Sequence, residues 1–271
     1  MTGHERNNIR KVLAAIDASA ADRAVLRTAK LVASLVDADV EAVHVREDGT
    51  EGARAAADAA SVPYRQLDGP VVKTLIEEAE AAGVVSLVVG SRGRPTGPRP
   101  VGSTAIEIIT SVGKPVGVVP PESDVGPSAT SVFVPLDGTM RTASALQRLV
   151  GDACARGLEV VVAHVYDETT MPVFVDHPQY EAQEWLDEFL ARFCPSPLAR
   201  GHLRVGLPGP EIVSLVEANR PDIVFLGWAQ DLSTGRAAVV REILGRSHVP
   251  CLLVPTRSAE PEPEDETATW T

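Results

Sequence analysis

A chain of 271 residues with 44% hydrophobic and 23% charged residues can bury one or two packed cores, which excludes wholesale disorder. Its net charge of -12 repels a polyphosphate backbone, and no apolar run approaches the roughly 20 residues of a membrane span. Neither nucleic acid nor a membrane is therefore expected as a partner, and the polar stretch Met1–Arg10, with no signal-peptide pattern, points to a cytoplasmic location.

Taken in chain order, short apolar runs alternate with helical periodicity. Val12–Ile16 is a predicted strand and Ala20–Val36 an amphipathic helix. Val40–Val45 is the second strand, Ala53–Ala60 a short helix, Tyr64–Leu67 a weak strand and Val71–Ala82 a helix. Val84–Val89, Ser103–Val112 and Val116–Val119 complete the series as strand, helix and strand. Strands that are continuously apolar and separated by helices imply a parallel sheet covered on both faces. Ligands of such sheets gather outside the carboxyl ends of the strands. Asp17, His44-Val45 and Gly90 all fall there.

The chain then repeats itself. Lys11-Val-Leu-Ala-Ala-Ile-Asp17-Ala-Ser19 recurs as Ser131-Val-Phe-Val-Pro-Leu-Asp137-Gly-Thr139, 120 residues later. The segment Asp39–Asp48 recurs as Glu159–Glu168 at the same offset, placing His164 opposite His44. Ser86–Gly90 matches Val224–Gly227 with the glycines 137 apart, and Lys114–Pro120 matches Val249–Pro255 at 135. The drift places a 17-residue insertion in the second copy, within Asp167–Gln183. Two domains of one fold are expected, 10–120 and 131–255, joined by the Pro-, Gly- and Ser-rich Pro121–Ser131. The last strands of the two copies are apolar and uncharged, so as sheet edges they are expected to pair with each other and form an intramolecular pseudo-dimer. A homodimer remains a further open assembly. Residues 256–271 form an acidic tail: Ser258–Thr271 holds five acids and no base, and reads as solvated. Cys154, Cys194 and Cys251 form no CxxC pair and read as buried or idle thiols.

The strand ending in Asp17, the strand ending in His44-Val45, and Gly90-Ser-Arg-Gly93 followed by Gly102-Ser-Thr104 resemble the universal stress protein family, in its tandem form. That resemblance implies an α/β fold of two tandem copies, each a five-stranded parallel sheet sandwiched by helices, of the adenine nucleotide α-hydrolase-like type. It implies ATP as ligand, with or without Mg²⁺. It also implies roles: Asp17 at the nucleoside end, Ala15 and Val45 beside the adenine, and Gly90, Ser91, Arg92, Gly93, Arg94, Gly102, Ser103 and Thr104 around the phosphates.

The first copy departs from the family pattern Gly-x2-Gly-x9-Gly-Ser/Thr by having eight residues, Arg94–Val101, between Gly93 and Gly102. Pro95, Pro98 and Pro100 each remove an N–H donor, while Arg92, Arg94 and Arg99 add fixed positive charge. The second copy departs further: Gly227-Trp-Ala-Gln-Asp231 lacks the second glycine, and Ala237-Ala-Val239 replaces Gly102-Ser-Thr104. Nucleotide is therefore expected in the first copy and not in the second.

Plainer readings stand beside these. Thr104 and Glu107 match a capping box, and Asp17-Ala-Ser19 a turn with an N-cap. His44 and His164 read as inherited structural histidines; Asp176, His177 and Glu181 fit no metal spacing, and Met171–Val175 reads as packing. No P-loop, nucleophile elbow or catalytic carboxylate pair is present. The expected function is a nucleotide-binding stress or regulatory protein rather than an enzyme. A nucleotide-free interaction module and a slow ATP hydrolase are the alternatives.

Overall fold

The computed structural model describes residues 10–46, 52–92, 101–126, 128–166, 184, 186–188, 190–192, 196–233 and 236–256. Gly93, Arg94 and the three prolines after them, the insertion at 167–183, Cys194 and the acidic tail beyond Thr256 lie outside the described residues.

Among the described residues the first half runs β1 (Lys11–Ala15), α1 (Asp22–Val36), β2 (Asp39–Val45), α2 (Ala53–Ala59), β3 (Tyr64–Leu67), α3 (Val71–Glu80), β4 (Val84–Gly90), α4 (Ser103–Ser111) and β5 (Val116–Val119). The second half runs β6 (Ser131–Pro135), α5 (Met140–Ala155), β7 (Glu159–Tyr166), β8 (Ala199–Val205), α6 (Pro208–Asn219), β9 (Ile223–Trp228), α7 (Ala238–Arg246) and β10 (Cys251–Pro255). The ten strands form one sheet in the order β3-β2-β1-β4-β5-β10-β9-β6-β7-β8. Each half repeats the same internal order, and every pairing inside a half is parallel.

The halves meet at the two short apolar strands. β10 pairs antiparallel with β5, with Cys251 opposite Val118, Leu252 opposite Gly117 and Leu253 opposite Val116. Each edge thus saturates the other's backbone groups, and the seam is buried: Val116–Val119 and Cys251–Val254 are all buried. Burial pushes the Cys251 thiol up to about 12, which keeps it protonated and unreactive.

Alternation along the strands divides the core into two layers. Val12, Ala14 and Ile16 face α1 and the layer that continues through Val132, Val134 and α5. Leu13, Val43 and Val45 face α3 and α4, in a layer that continues through Phe133, Val161, α6 and α7. Both layers cross the seam without a break. Hydrogen bonds cross it too: the Gln230 amide donates to the Ile109 and Val112 carbonyls at 3.0 and 2.7 Å, and the linker is tied to each half, with Arg27 donating to the Val125 carbonyl at 2.8 Å and the Ser123 hydroxyl to the His248 carbonyl at 2.7 Å.

Two helix boundaries differ from expectation by two residues, for identifiable reasons. α1 starts at Asp22 instead of Ala20, because Ala18 adopts a left-handed φ of 62° and the Ser19 hydroxyl oxygen accepts the Ala21 N–H. α3 stops at Glu80, because Ala81 leaves helical geometry ahead of Gly83 at φ 84°.

Candidate functional site

The first half opens at the carboxyl ends of β1, β2 and β4 into a cavity of about 590 Å³. Nine of the residues singled out from sequence line it: Ala15, Asp17, Val45, Gly90, Ser91, Arg92, Gly102, Ser103 and Thr104. Val71 and Leu75 of α3 and Ile108 of α4 supply apolar wall, while His44 and Asp22 complete the polar end.

Backbone turns set the geometry at the β1 end. The Asp17 carboxylate accepts the Ser19 N–H at 3.1 Å, and the Asp17 N–H donates to Asp22 Oδ1 at 3.1 Å. His44 is buried, with Nδ1 2.8 Å from the Ile16 carbonyl oxygen, so the ring buttresses the strand end. Asp22 is 3% exposed and its Oδ2 has no hydrogen-bond partner among the described residues. Burial, with the neighbouring Asp17 charge, pushes the Asp22 carboxyl up to about 6. Sequence reasoning missed Asp22, although a carboxylate at the first position of an otherwise apolar-faced helix was a visible signal.

At the β4 end, the Ser91 N–H donates to the Val119 carbonyl at 2.8 Å and the Gly102 N–H to the Ser91 carbonyl at 2.9 Å. This folds the chain back so that α4 begins at the cavity wall. The capping box read from Thr104 and Glu107 does not form: Gly102 is the N-cap, no side chain caps the helix, and Thr104 already lies inside its first turn. The start of α4 therefore faces the cavity with backbone donors and the positive end of its dipole, an arrangement that suits an anion. The N-cap read at Asp17-Ala-Ser19 also fails, since Ala21 holds the cap position of α1. The turn itself is present.

These groups fit a nucleotide. Asp17 suits the hydroxyls of a sugar, the Val45 and Leu75 side suits a flat base, and Arg92 with the α4 N-terminus suits phosphate oxygens. Among the described residues no three histidines, cysteines or carboxylates gather to hold a metal.

The second half has the corresponding cavity, about 940 Å³, with different furniture. Thr139 caps α5 by accepting the Thr142 N–H at 3.3 Å, and its hydroxyl donates to Asp137 Oδ1 at 2.8 Å. The Thr142 hydroxyl donates to Asp137 Oδ2 at 3.0 Å. His164 Nδ1 lies 2.8 Å from the Leu136 carbonyl oxygen, repeating His44, and burial lowers the pKa of its ring. The matched, buried pair fits the structural role read for both histidines. Trp228 and Tyr166 line this cavity, and Ala237, at φ 51°, stands at the place of Gly102.

The model of the universal stress protein family matches residues 51–120 and 129–255, well over half of the chain. No curated protein matches the sequence. Among solved structures, a functionally unknown protein from Pseudomonas aeruginosa PAO1 is 13% identical, with 92% of this chain and 93% of that chain covered and a TM-score of 0.69. A universal stress protein from Archaeoglobus fulgidus DSM 4304 is 16% identical, with 93% and 100% covered and a TM-score of 0.64. At these identities the structural likeness speaks to fold alone. With the family model matched in both halves, the chain belongs to the universal stress protein family.

Proposed function

We propose that this chain is a regulatory protein that responds to an adenine nucleotide, ATP or a close relative, bound once per chain in the first half. The observation that carries the reading is the uncapped start of α4 facing a cavity that also holds Arg92 and Asp17. A helix start contributes up to about 2 kcal/mol toward an anion in favourable geometry, and each charge-assisted hydrogen bond about 1.5–3 kcal/mol. Gly93 and Arg94 belong to the same proposal by their place in the motif. At the phosphate end the described side chains are Arg92, Ser103 and Thr104, which offer donors and no general base, so occupancy rather than turnover is the signal. The second half, with Ala237 where the backbone must approach a phosphate, is left without nucleotide. The division into domains at 10–120 and 131–255 is part of this proposal.

Titration calorimetry with ATP should give a stoichiometry near one. Gly102→Val should abolish binding: Gly102 has φ -63°, and a Cβ there would meet nothing nearer than the Ser91 carbonyl oxygen at 3.7 Å, so the fold tolerates the side chain while the ligand does not. Asp137→Ala should leave binding intact. Two sites of equal affinity, or binding that survives Gly102→Val and is lost in Asp137→Ala, would overturn the assignment. A protein silent toward ATP would favour a nucleotide-free interaction module.

A further inference from the structure

The strand-end carboxylates of the two halves are held differently. In the second half, Thr142 is the fifth residue after Asp137 and its hydroxyl donates to Asp137 Oδ2 at 3.0 Å. In the first half the fifth residue after Asp17 is Asp22, a carboxylate that is 3% exposed and lines the cavity with Asp17. One of its oxygens, Oδ1, accepts the Asp17 N–H; the other, Oδ2, has no partner among the described residues. An ionised carboxylate has only acceptors, so it has nothing to donate to Asp17. A carboxylic acid has one O–H.

We propose that Asp22 is a positioning residue that acts as a protonated carboxylic acid, its O–H holding Asp17 as the Thr142 hydroxyl holds Asp137, so that ligand binding in the first half takes up a proton from solvent. The inference rests on reading the first-half cavity as the nucleotide site. Burial and the Asp17 charge both push the Asp22 carboxyl up to about 6, where a modest change of cellular pH alters its charge. Among the described residues, the other ionisable groups lining the cavity are Asp17 after β1, His44 on β2 and Arg92 after β4; α3 and α4 contribute Val71, Leu75, Ser103, Thr104 and Ile108, none of them ionisable near neutral pH. With Asp22 ionised, the nucleoside end carries two adjacent negative charges and Asp17 loses its donor. Protonation removes one charge and fixes the other.

The test uses the full chain, wild type against Asp22→Thr, which installs the second half's hydroxyl and keeps a donor at every pH. ATP affinity is measured by calorimetry at pH 5.5 and pH 8, and the ligand's own titration cancels in the ratio between the two proteins. The ratio should be within about threefold at pH 5.5, and the wild type should be weaker by about tenfold or more at pH 8. Buffers of different ionisation enthalpy at pH 7.5 should report proton uptake in the wild type beyond that in Asp22→Thr. An unchanged ratio with no extra uptake overturns the proposal and leaves the nucleotide reading standing. If ATP binds neither protein at either pH, the nucleotide reading fails, and melting of the ligand-free proteins decides the protonation of Asp22. Asp22→Thr should then raise Tm at pH 8 and not at pH 5.5, and an equal increment at both overturns it.

Discussion

The loops that follow β4 and β9 start from the same strand position and do opposite things. After Gly90 the chain turns back through Ser91 to Gly102 and leaves the start of α4 open to a cavity. After Gly227 the chain carries Trp228 into the second cavity, and Gln230, at φ 57°, reaches across the seam to the carbonyls that end α4. Gln230 stands where the repeat places Gly93. A position that the proposed function assigns to a ligand loop in one copy is part of the fastening between copies in the other. One half thus leaves a helix start open to a cavity, while the other uses the corresponding loop to hold the pair together.

The largest effect expected from breaking this comparison is in the core. Phe225 and Val88 occupy the same position on β9 and β4, both 0% exposed and in the same layer. Phe225→Ala should cost about 3–5 kcal/mol and Val88→Ala roughly 2 kcal/mol, read by denaturant melts. Because both layers cross the seam, each variant should still unfold in one transition. A split transition in Phe225→Ala would show two independent units instead of one sheet.

A smaller effect should follow from cutting the clasp. Gln230→Ala leaves the Ile109 and Val112 carbonyls without their cross-seam donor, and should cost about 1–2 kcal/mol. Amide exchange should quicken in β5 and β10 more than in β1 or β6. Equal protection before and after the change would mean that strand pairing alone holds the halves together.

The smallest effect lies at the outer edge of the first half. Arg65 bonds Glu78 at 2.7 Å and Glu41 at 3.1 Å, tying β3 to α3 and β2 across a half-exposed surface. Arg65→Met should cost under about 1 kcal/mol at pH 7. The Arg65 guanidinium holds the Glu78 carboxyl below its usual range, so this contribution is present above about pH 5 and fades as acid protonates the carboxylates. A Tm difference between Arg65→Met and wild type that stays constant down to pH 3 would count against the ion pairs as its source.

The sequence alone determined the layers and the order of elements, because each depends on local pattern. Continuous apolar strands between amphipathic helices specify a covered parallel sheet, and the repeated Asp17 and Asp137 motifs specify two copies of it. Tyr64–Leu67 and Val116–Val119 match their predicted bounds residue for residue. Nine of the eleven residues singled out from the sequence line one cavity, because a strand end followed by glycine and hydroxyl residues carries the geometry in its order. The tertiary structure decided what depends on long-range company. Whether Thr104 caps α4 was settled by where the Ser91 turn places the helix start, against the local reading. Asp22 reads in sequence as an ordinary first-turn carboxylate; only the packing of β1, β2 and α1 around it removes its water and sets it against Asp17. Gln230 reads as a lost glycine, and only the antiparallel seam brings the end of α4 within reach of its amide. Periodicity specifies which face a residue takes. What waits on the far side of that face is specified by residues more than a hundred positions away.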